Sequence, residues 1–296
     1  MKENKHLLLS EQFSRRWKIN QHGGFSARLS RWRVFHWIIL QKLGINCWAH
    51  VPLFFGEKIW LLTGEQISGG IFSSGYSENA LTALMLEVLK PGMRVVDVGA
   101  HVGYEAMLAS VLVGESGRVV TFEPQPKIAG WTVRNLRPFP QCRVVASAVG
   151  DFNGHLEFSE MDILNSGFSG AATGGGQKIQ VPVTTLANAL RAEEQPVHFI
   201  KCDVEGAEMS VLRGAVEILK RDQPLLVLEA EMPSADGRRP RVKEFADFLS
   251  PLGYEGFFFE FDGRLKVGRI GELEVGHANV GFAPVSRPEF HFLLKA

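Results

Sequence analysis

The segment at residues 94–103, RVVDVGAHVG, constrains the fold more than any other part of the sequence. Its apolar run reaches Asp97 and is followed by Gly99 and Gly103, a pattern typical of a buried strand that turns tightly into a helix. Glycine allows a sharp turn and the close approach of a ligand, and the first N–H groups of the helix are free to bind a carboxylate or phosphate. The segment therefore indicates a ligand-binding turn, although the same turn also occurs without a ligand.

Strand and helix patterns alternate along most of the chain after Ser77. An amphipathic helix is predicted to start at Ser77, its N-cap, and to stop at Pro91-Gly92. Apolar strands alternating with helices favour a parallel sheet covered on both faces, so we expect an α/β fold with a doubly wound, mostly parallel sheet. The predicted strands are 94–98, 118–123, 142–148, 198–203, 225–230 and 254–260, and the predicted helices are 103–113, 126–136, 207–220 and 240–250.

Two additions interrupt this alternation in the middle of the chain. The Gly/Ser-rich segment 166–176 is expected to be a mobile loop within the domain, and the short apolar run Ile179–Val183 follows it. We expect residues 71–296 to form the main domain and residues 1–70 to form an N-terminal extension.

The N-terminal extension is basic and aromatic. Residues 1–50 hold nine Lys/Arg and two Glu, a net charge of 9 − 2 = +7, so the remainder of the neutral chain carries −7. This asymmetry fits a solvated leader or an arm for an anionic partner, and nothing else in the sequence supports nucleic-acid binding. Trp32, Phe35, Ile39 and Leu43 have the spacing of one helix face. We expect that face to pack against the main domain, and peripheral docking on a membrane is the alternative.

Cysteines and apolar segments bear on the compartment. The three cysteines, Cys47, Cys142 and Cys202, form no Cys-x-x-Cys pair and accompany no histidine cluster, so no zinc site is predicted and a reducing compartment is expected. The apolar residues 34–40 are too few to span a bilayer. A cytoplasmic protein is the resulting expectation.

Glu123 ends the second predicted strand, next to the glycine turn. A carboxylate there can accept hydrogen bonds from both ribose hydroxyls of a nucleoside, each worth roughly 1.5–3 kcal/mol. Dinucleotide-binding folds also place an acid about 20 residues after their glycines, but Gly-x-Gly-x-x-Gly is absent, because Ala100 and His101 follow Gly99. The spacing favours S-adenosylmethionine over NAD.

Three sequence blocks resemble the FkbM-type, class I S-adenosylmethionine-dependent methyltransferases. They are VVDVGAHVGY at 95–104, VTFEP at 120–124, and IKCDVEGAE with VLRGA within 200–215, and the resemblance extends over about residues 71–285. It implies a Rossmann-like methyltransferase domain at 71–296, with Asp97, Gly99 and Gly103 around the methionine part of the cofactor. It also implies Glu123 on the ribose, the loop at Ala148 beside adenine, and Glu78 near the amino-acid end.

The sequence departs from the family pattern at three positions. His101 stands where Asn is common, Glu105 lies early in the helix, and Cys202 replaces an aliphatic residue. His101 is a candidate cofactor-binding donor, and a solvated loop histidine is the alternative. His198 is assigned a structural role.

Methyl transfer needs an acceptor aligned behind the sulfonium methyl and, for an alcohol, a base. Asp203 and Glu205, at the end of strand 198–203, are the candidate catalytic residues, with Glu229 and Glu231 as reserves. The alternative is that Asp203 or Glu205 merely caps helix 207–220. No metal site is predicted, because the carboxylates lack a histidine partner and a close acidic spacing along the chain.

These residues predict an O-methyltransferase acting on a hydroxyl of a small molecule, sugar or secondary metabolite. The competing hypothesis is a non-catalytic binding module whose basic leader docks a partner or membrane. An NAD-dependent oxidoreductase is disfavoured by the missing glycine. The sequence determines neither the acceptor nor the oligomeric state.

Overall fold

The computed structural model contains a large central sheet and two smaller sheets. The structure describes residues 2–22, 32, 35–40, 42–43, 45–65, 68–160, 177–230, 242–272 and 279–295. Its strands are β1 (Trp48–Pro52), β2 (Lys58–Leu62), β3 (Arg94–Val98), β4 (Arg118–Phe122), β5 (Cys142–Val145), β6 (Ala148–Val149), β7 (Gly154–Glu160), β8 (Gln177–Thr184), β9 (Phe199–Cys202), β10 (Leu225–Glu229), β11 (Tyr254–Phe261), β12 (Leu265–Arg269) and β13 (Asn279–Pro284).

Helices flank the sheet on both faces. They are α1 (Lys2–His22), α2 (Ser68–Ser74), α3 (Asn79–Val88), α4 (Tyr104–Val113), α5 (Pro126–Leu136), α6 (Leu186–Ala189), α7 (Glu208–Gly214), α8 (Val216–Asp222) and α9 (Val242–Leu249), with 3₁₀ turns at Ala192–Glu194, Ser250–Leu252, Ile270–Glu272 and Pro288–Leu293.

The described central sheet has the order β12-β11-β13-β10-β9-β3-β4-β5. Strands β10, β9, β3, β4 and β5 are parallel, and β13, β11 and β12 extend the sheet with antiparallel pairings. This confirms the doubly wound, mostly parallel α/β fold.

The parallel strands are buried on both faces of the sheet, which explains why their sequences are continuous apolar runs. Val95 and Phe199 point into the cluster that α3 and α4 cover. Val96 and Ile200, one residue further along each strand, point into the cluster that α7, α8 and α9 cover. Since successive strand residues face opposite sides, a strand covered on both sides is apolar along most of its length.

The predicted strand 142–148 is divided between two sheets. β5 ends at Val145 in the central sheet, and Ala148 begins β6 in a three-stranded sheet of order β6-β8-β7. The Ser147 hydroxyl donates to the carbonyl oxygen of Pro182 at 3.0 Å, which helps to hold the crossing chain on β8. The run Ile179–Val183 belongs to β8, whereas loop 166–176 lies outside the described residues.

Two predicted helix features are wrong. The helix predicted at 207–220 is two helices, separated at Ala215, where φ is −107° and ψ is 1°. Gly214 packs so closely on the backbone of Gly150 that a methyl group there would overlap its carbonyl oxygen. Ser77 is not an N-cap, because α3 starts after Glu78 and has no side-chain cap. Instead, the Ser77 carbonyl accepts a hydrogen bond from the Thr82 hydroxyl at 2.8 Å.

The N-terminal helix α1 shares a core with the domain. Phe13 is 1% exposed, and its ring contacts the rings of Phe54, Tyr76 and Phe261. The division at residue 70 stays a prediction, since side chains from both ranges meet in this core.

The aromatic segment that follows α1 packs differently from the prediction. Residues 35–40 are helical, but Trp32, Phe35 and Leu43 are 59%, 54% and 65% exposed, so burial of their face is wrong. Trp37 is buried instead, against Phe72, because the absent side chain of Gly69 leaves room for its indole. None of the described helices is long and apolar enough to cross a membrane.

Candidate active site

A cavity of about 290 Å³ lies at the carboxyl ends of the parallel strands β3, β4, β9 and β10. Loops at this edge bind ligands in doubly wound folds, because they vary without disturbing the core. The lining includes Ser77, Glu78, Gly99, His101, Glu123, Gln125, Ser147, Ala148, Leu156, Phe158, Asp203, Glu205 and Glu229.

The glycine turn has the predicted conformation but a partly different cause. Gly99 and Gly103 have φ of +88° and +89°, values that favour glycine. A methyl group on Gly99 would overlap the carbonyl oxygen of Asp203, and one on Gly103 would press on Thr132 and Leu136 at 3.2 and 3.3 Å. The close approach that requires these glycines is therefore made by the protein's own neighbouring segments.

Glu123 is 7% exposed and lies beside the turn. Its Oε2 accepts the His101 N–H at 2.9 Å, and its Oε1 accepts the Gln125 N–H at 2.9 Å. Burial raises the pKa of Glu123 to about 7, while the two N–H donors act in the opposite direction. Because a carboxylate oxygen can accept two hydrogen bonds, each of the two Glu123 oxygens can accept one more, from a ligand hydroxyl.

His101 is held inside the protein, so the solvated alternative is wrong. Its side chain is 18% exposed, and its Nε2 lies 3.7 Å from Oε1 of Glu65, which is fully buried. The Thr132 hydroxyl donates to the His101 carbonyl. Burial lowers the pKa of His101, although the Glu65 carboxylate counteracts this. Glu65 was missed, since no motif marks it and only tertiary contact joins it to the glycine turn.

Lys201 connects the turn to the acidic residues and was also missed. It is 4% exposed, and its Nζ donates to the Gly99 carbonyl at 2.9 Å and lies 3.2 Å from Asp203 and 3.7 Å from Asp97. Burial disfavours the ammonium, but these carboxylates outweigh it and raise the pKa of Lys201. The available signal was a lysine inside an apolar strand, since lysine is almost never fully buried unless paired.

Asp203, Glu205 and Glu229 form a compact acidic cluster. A carboxylate oxygen from each lies within 4.8 Å of the others, so the close acidic spacing absent from the sequence is present in space. Burial, followed by the Asp203 charge, raises the pKa of Glu229 to about 10. Burial also acts to raise the pKa of Asp203, but the Lys201 ammonium and a hydrogen bond from Glu229 outweigh it and lower that pKa. At neutral pH the pair therefore consists of ionised Asp203 and protonated Glu229.

Capping of the following helix does not account for Asp203 and Glu205. Ala207 occupies the N-cap of α7, and Oε1 of Glu208 accepts the Val204 and Gly206 N–H groups, both at 3.1 Å. Glu208 therefore holds the loop that precedes the helix, and the N-cap residue contributes no side-chain hydrogen bond. The reserve residue Glu231 lies outside the described residues.

Residues 97–255 match the methyltransferase FkbM domain, which covers more than half of the chain. The chain belongs to the FkbM methyltransferase family. The matched region is a methyltransferase domain, and the glycine turn at Gly99 and Gly103 lies within it.

Other similarities of this FkbM-family chain are local or distant. It is 37% identical over 90 residues to protein-L-isoaspartate O-methyltransferase 1 of Arabidopsis thaliana, which spans 28% of this chain and 39% of that protein. The corresponding enzyme of Methanopyrus kandleri is 40% identical over 73 residues, or 24% of this chain and 32% of that protein. The matches thus span well under half of these relatives.

Solved structures resemble the FkbM-family chain at low sequence identity. The methyltransferase FkbM of Methylobacillus flagellatus matches with a TM-score of 0.43 and 17% identity, over 66% of this chain and 48% of that one. Aeropyrum pernix fibrillarin with bound S-adenosylmethionine matches with a TM-score of 0.40 and 15% identity, over 69% of this chain and 73% of the fibrillarin chain.

Seven of the nine predicted site residues line the cavity. Glu78 and Ala148 do so, and Glu78 accepts the Asn279 side-chain N–H at 2.8 Å. Burial raises the pKa of Glu78. Asp97 and Gly103 lie outside the lining, and Asp97, 2% exposed, accepts the Thr121 hydroxyl at 2.8 Å. The roles of all nine in ligand binding stay predictions.

The remaining wall is apolar and comes partly from a strand that was not predicted. Leu156 and Phe158 of β7 line the cavity near Ala148 and Val149. No strand was predicted between residues 149 and 165, although Leu156 and Phe158 alternate with polar residues in the period of a strand. Free carboxylate capacity at Glu123 and this apolar wall suit the ribose and the base of S-adenosylmethionine.

Proposed function

We propose that this protein transfers the methyl group of S-adenosylmethionine to a hydroxyl oxygen of a small-molecule acceptor. The observation that carries the proposal is the acidic cluster of Asp203, Glu205 and Glu229 at the cavity wall, where a carboxylate oxygen of each lies within 4.8 Å of the others. A hydroxyl loses its proton when it is methylated, and a carboxylate within the cavity can receive it. Glu205 lies in the same cluster as the second candidate catalytic residue.

The proposed cofactor orientation follows from the two ends of the cavity. Glu123 would accept the ribose hydroxyls, and the apolar wall at Ala148 and Phe158 would contact adenine. Glu78 would lie near the amino-acid end, with Asp203 beside the reacting centre. The bound cofactor supplies an electrophilic methyl group. The protein's larger contribution is alignment of the acceptor oxygen, which is worth up to about 7–11 kcal/mol.

The electrostatics favour a neutral hydroxyl over an anionic acceptor. Asp203, whose pKa is lowered, lines the cavity as a carboxylate, and an anionic acceptor brought close to it would be repelled. Asp203 is a weak base because Lys201 lowers its pKa, so proton transfer is expected to accompany methyl transfer rather than to precede it. Lys201 acts as a positioning residue that fixes Asp203 relative to the glycine turn.

Methyl-labelled S-adenosylmethionine provides the test. The protein is incubated with the labelled donor and a cell extract, and products are examined by mass spectrometry before and after mild alkali. A hydroxyl acceptor gives a methyl ether, which keeps the label in alkali. An alkali-labile label would identify a carboxylate acceptor and contradict the proposal. The Asp203→Asn variant, checked for cofactor binding, is the control for adventitious transfer.

A further inference from the structure

Exposed apolar side chains are concentrated in one short segment outside the active site. Among the described residues, twelve large hydrophobic side chains are exposed, and six of them lie between positions 32 and 48. We call these six the apolar rim. They are Trp32, Phe35, Ile38, Leu43, Ile45 and Trp48.

The packing of residues 35–40 explains how the apolar rim is presented to solvent. Trp37 is 6% exposed and contacts Phe72, so this side of the helical residues is attached to the domain. Phe35 and Ile38 are 54% and 42% exposed, and the Trp32 and Phe35 rings meet edge to face at 6.0 Å. The exposed aromatic residues are therefore held by a buried anchor rather than extending singly into solvent.

The stretch of sequence that contains the apolar rim carries charge of one sign. Between Glu11 and Glu57 the sequence contains no Asp or Glu, whereas it contains seven Lys/Arg, including Lys42 within the apolar rim segment. Arg15, Lys18 and Lys42 are exposed in the structure. Cationic and apolar side chains in one segment match a surface that is anionic at its boundary and apolar beneath it.

We infer that the apolar rim docks this protein on an anionic lipid bilayer, with Trp32 and Phe35 entering the headgroup region. Tryptophan is enriched at this depth, where its ring is partly apolar and partly polar. A nucleic acid shares the negative charge, but it binds aromatic rings by stacking. Ile38, Leu43 and Ile45 have no ring for a base to stack on, so a bilayer suits the whole apolar rim better.

Vesicle co-sedimentation of the full chain tests this inference. Vesicles of phosphatidylcholine alone are compared with vesicles that also contain phosphatidylglycerol, at low and high salt. Binding is expected to require phosphatidylglycerol and to weaken in high salt. The double variant Trp32→Ser/Phe35→Ser is expected to reduce the partition coefficient roughly tenfold or more, since two large apolar side chains no longer enter the lipid.

Matched controls separate docking from general stickiness or misfolding. The double variant Phe152→Ser/Val285→Ser removes side chains that are 47% and 46% exposed elsewhere, and it should bind as wild type does. Lys42→Glu should weaken binding only to phosphatidylglycerol vesicles. Thermal unfolding of each variant checks that the fold is retained.

Three results would overturn the inference. One is no sedimentation with phosphatidylglycerol vesicles, and another is equal sedimentation of the wild type and the Trp32→Ser/Phe35→Ser variant. The third is binding to a single-stranded RNA oligomer, or formation of a dimer in analytical ultracentrifugation, that depends on Trp32 and Phe35 while vesicles are not bound.

Discussion

Replacing Lys201 with methionine should destabilise the protein and raise the pKa of Asp203. The ammonium lies 3.2 Å from Asp203 and 3.7 Å from Asp97. At an effective dielectric constant of about 20, these separations correspond to attractions of roughly 5 and 4.5 kcal/mol, before the cost of desolvation. Leaving buried charge without its partner costs about 3–5 kcal/mol, which is a large part of a typical stability of about 5–15 kcal/mol.

The pH dependence distinguishes this explanation from a simple packing defect. Asp203 in the wild type has a lowered pKa, so its contribution to stability is present above the unfolded pKa and is lost as pH falls through the folded pKa. Without Lys201, burial raises the carboxyl pKa values. The difference in stability between variant and wild type should therefore grow as pH rises above about 4.

Chemical denaturation at several pH values measures this difference. The control variant Lys178→Met removes a lysine whose partner Glu157 is exposed, so its effect should be small. In the double variant Asp97→Asn/Lys201→Met, one buried carboxylate is neutralised together with the ammonium, so part of the stability should return. A Lys201→Met variant with unchanged stability, or with a loss that is independent of pH, would refute the electrostatic explanation.

Four further predictions concern the active site. Glu123→Ala should weaken S-adenosylmethionine binding by about 10- to 100-fold in isothermal titration, because the proposed ribose acceptor is lost; an unchanged affinity would reject this orientation. Since the pKa of Glu123 is about 7, affinity should decline as pH falls below that value, by up to about tenfold per pH unit, and a flat profile from mildly acidic to alkaline pH would contradict its role. Asp203→Asn should lower kcat by about 10²–10⁴-fold with little change in cofactor affinity, and a fully active variant would remove Asp203 from the mechanism. The proposed proton transfer to Asp203 requires no metal, so activity should survive EDTA, whereas a loss restored by Mg²⁺ would assign the acidic cluster to a metal.

Most of the fold could be predicted because its signals are local. The apolar runs of β3, β4, β9 and β10 indicate strands buried on both faces, and the intervening helices indicate parallel pairing. The structure differs from the prediction where contacts with distant segments determine the local structure. The chain changes sheets after Val145 to pair with β8, and Gly214 is confined by the backbone of Gly150.

Residues of the candidate site could be predicted only where the local sequence pattern marks them. Gly99 and Glu123 are recognisable because each directly follows an apolar strand. Glu65 could not be predicted, since 36 residues separate it from His101 and no pattern joins them. The helix face of Trp32, Phe35, Ile39 and Leu43 was expected to pack against the domain, but Trp32, Phe35 and Leu43 are exposed. Helical spacing does not say which face meets the domain.

The sequence by itself determined the parallel α/β sheet, the glycine turn and the carboxylates at the strand ends, because neighbouring residues encode strand burial and turn conformation. Only the tertiary structure decided the charges of those carboxylates, because Lys201, Asp97, Asp203 and Glu229 come from three strands and the residues that follow them. A buried charge depends on which groups surround it in space, and that arrangement exists only after the strands have paired.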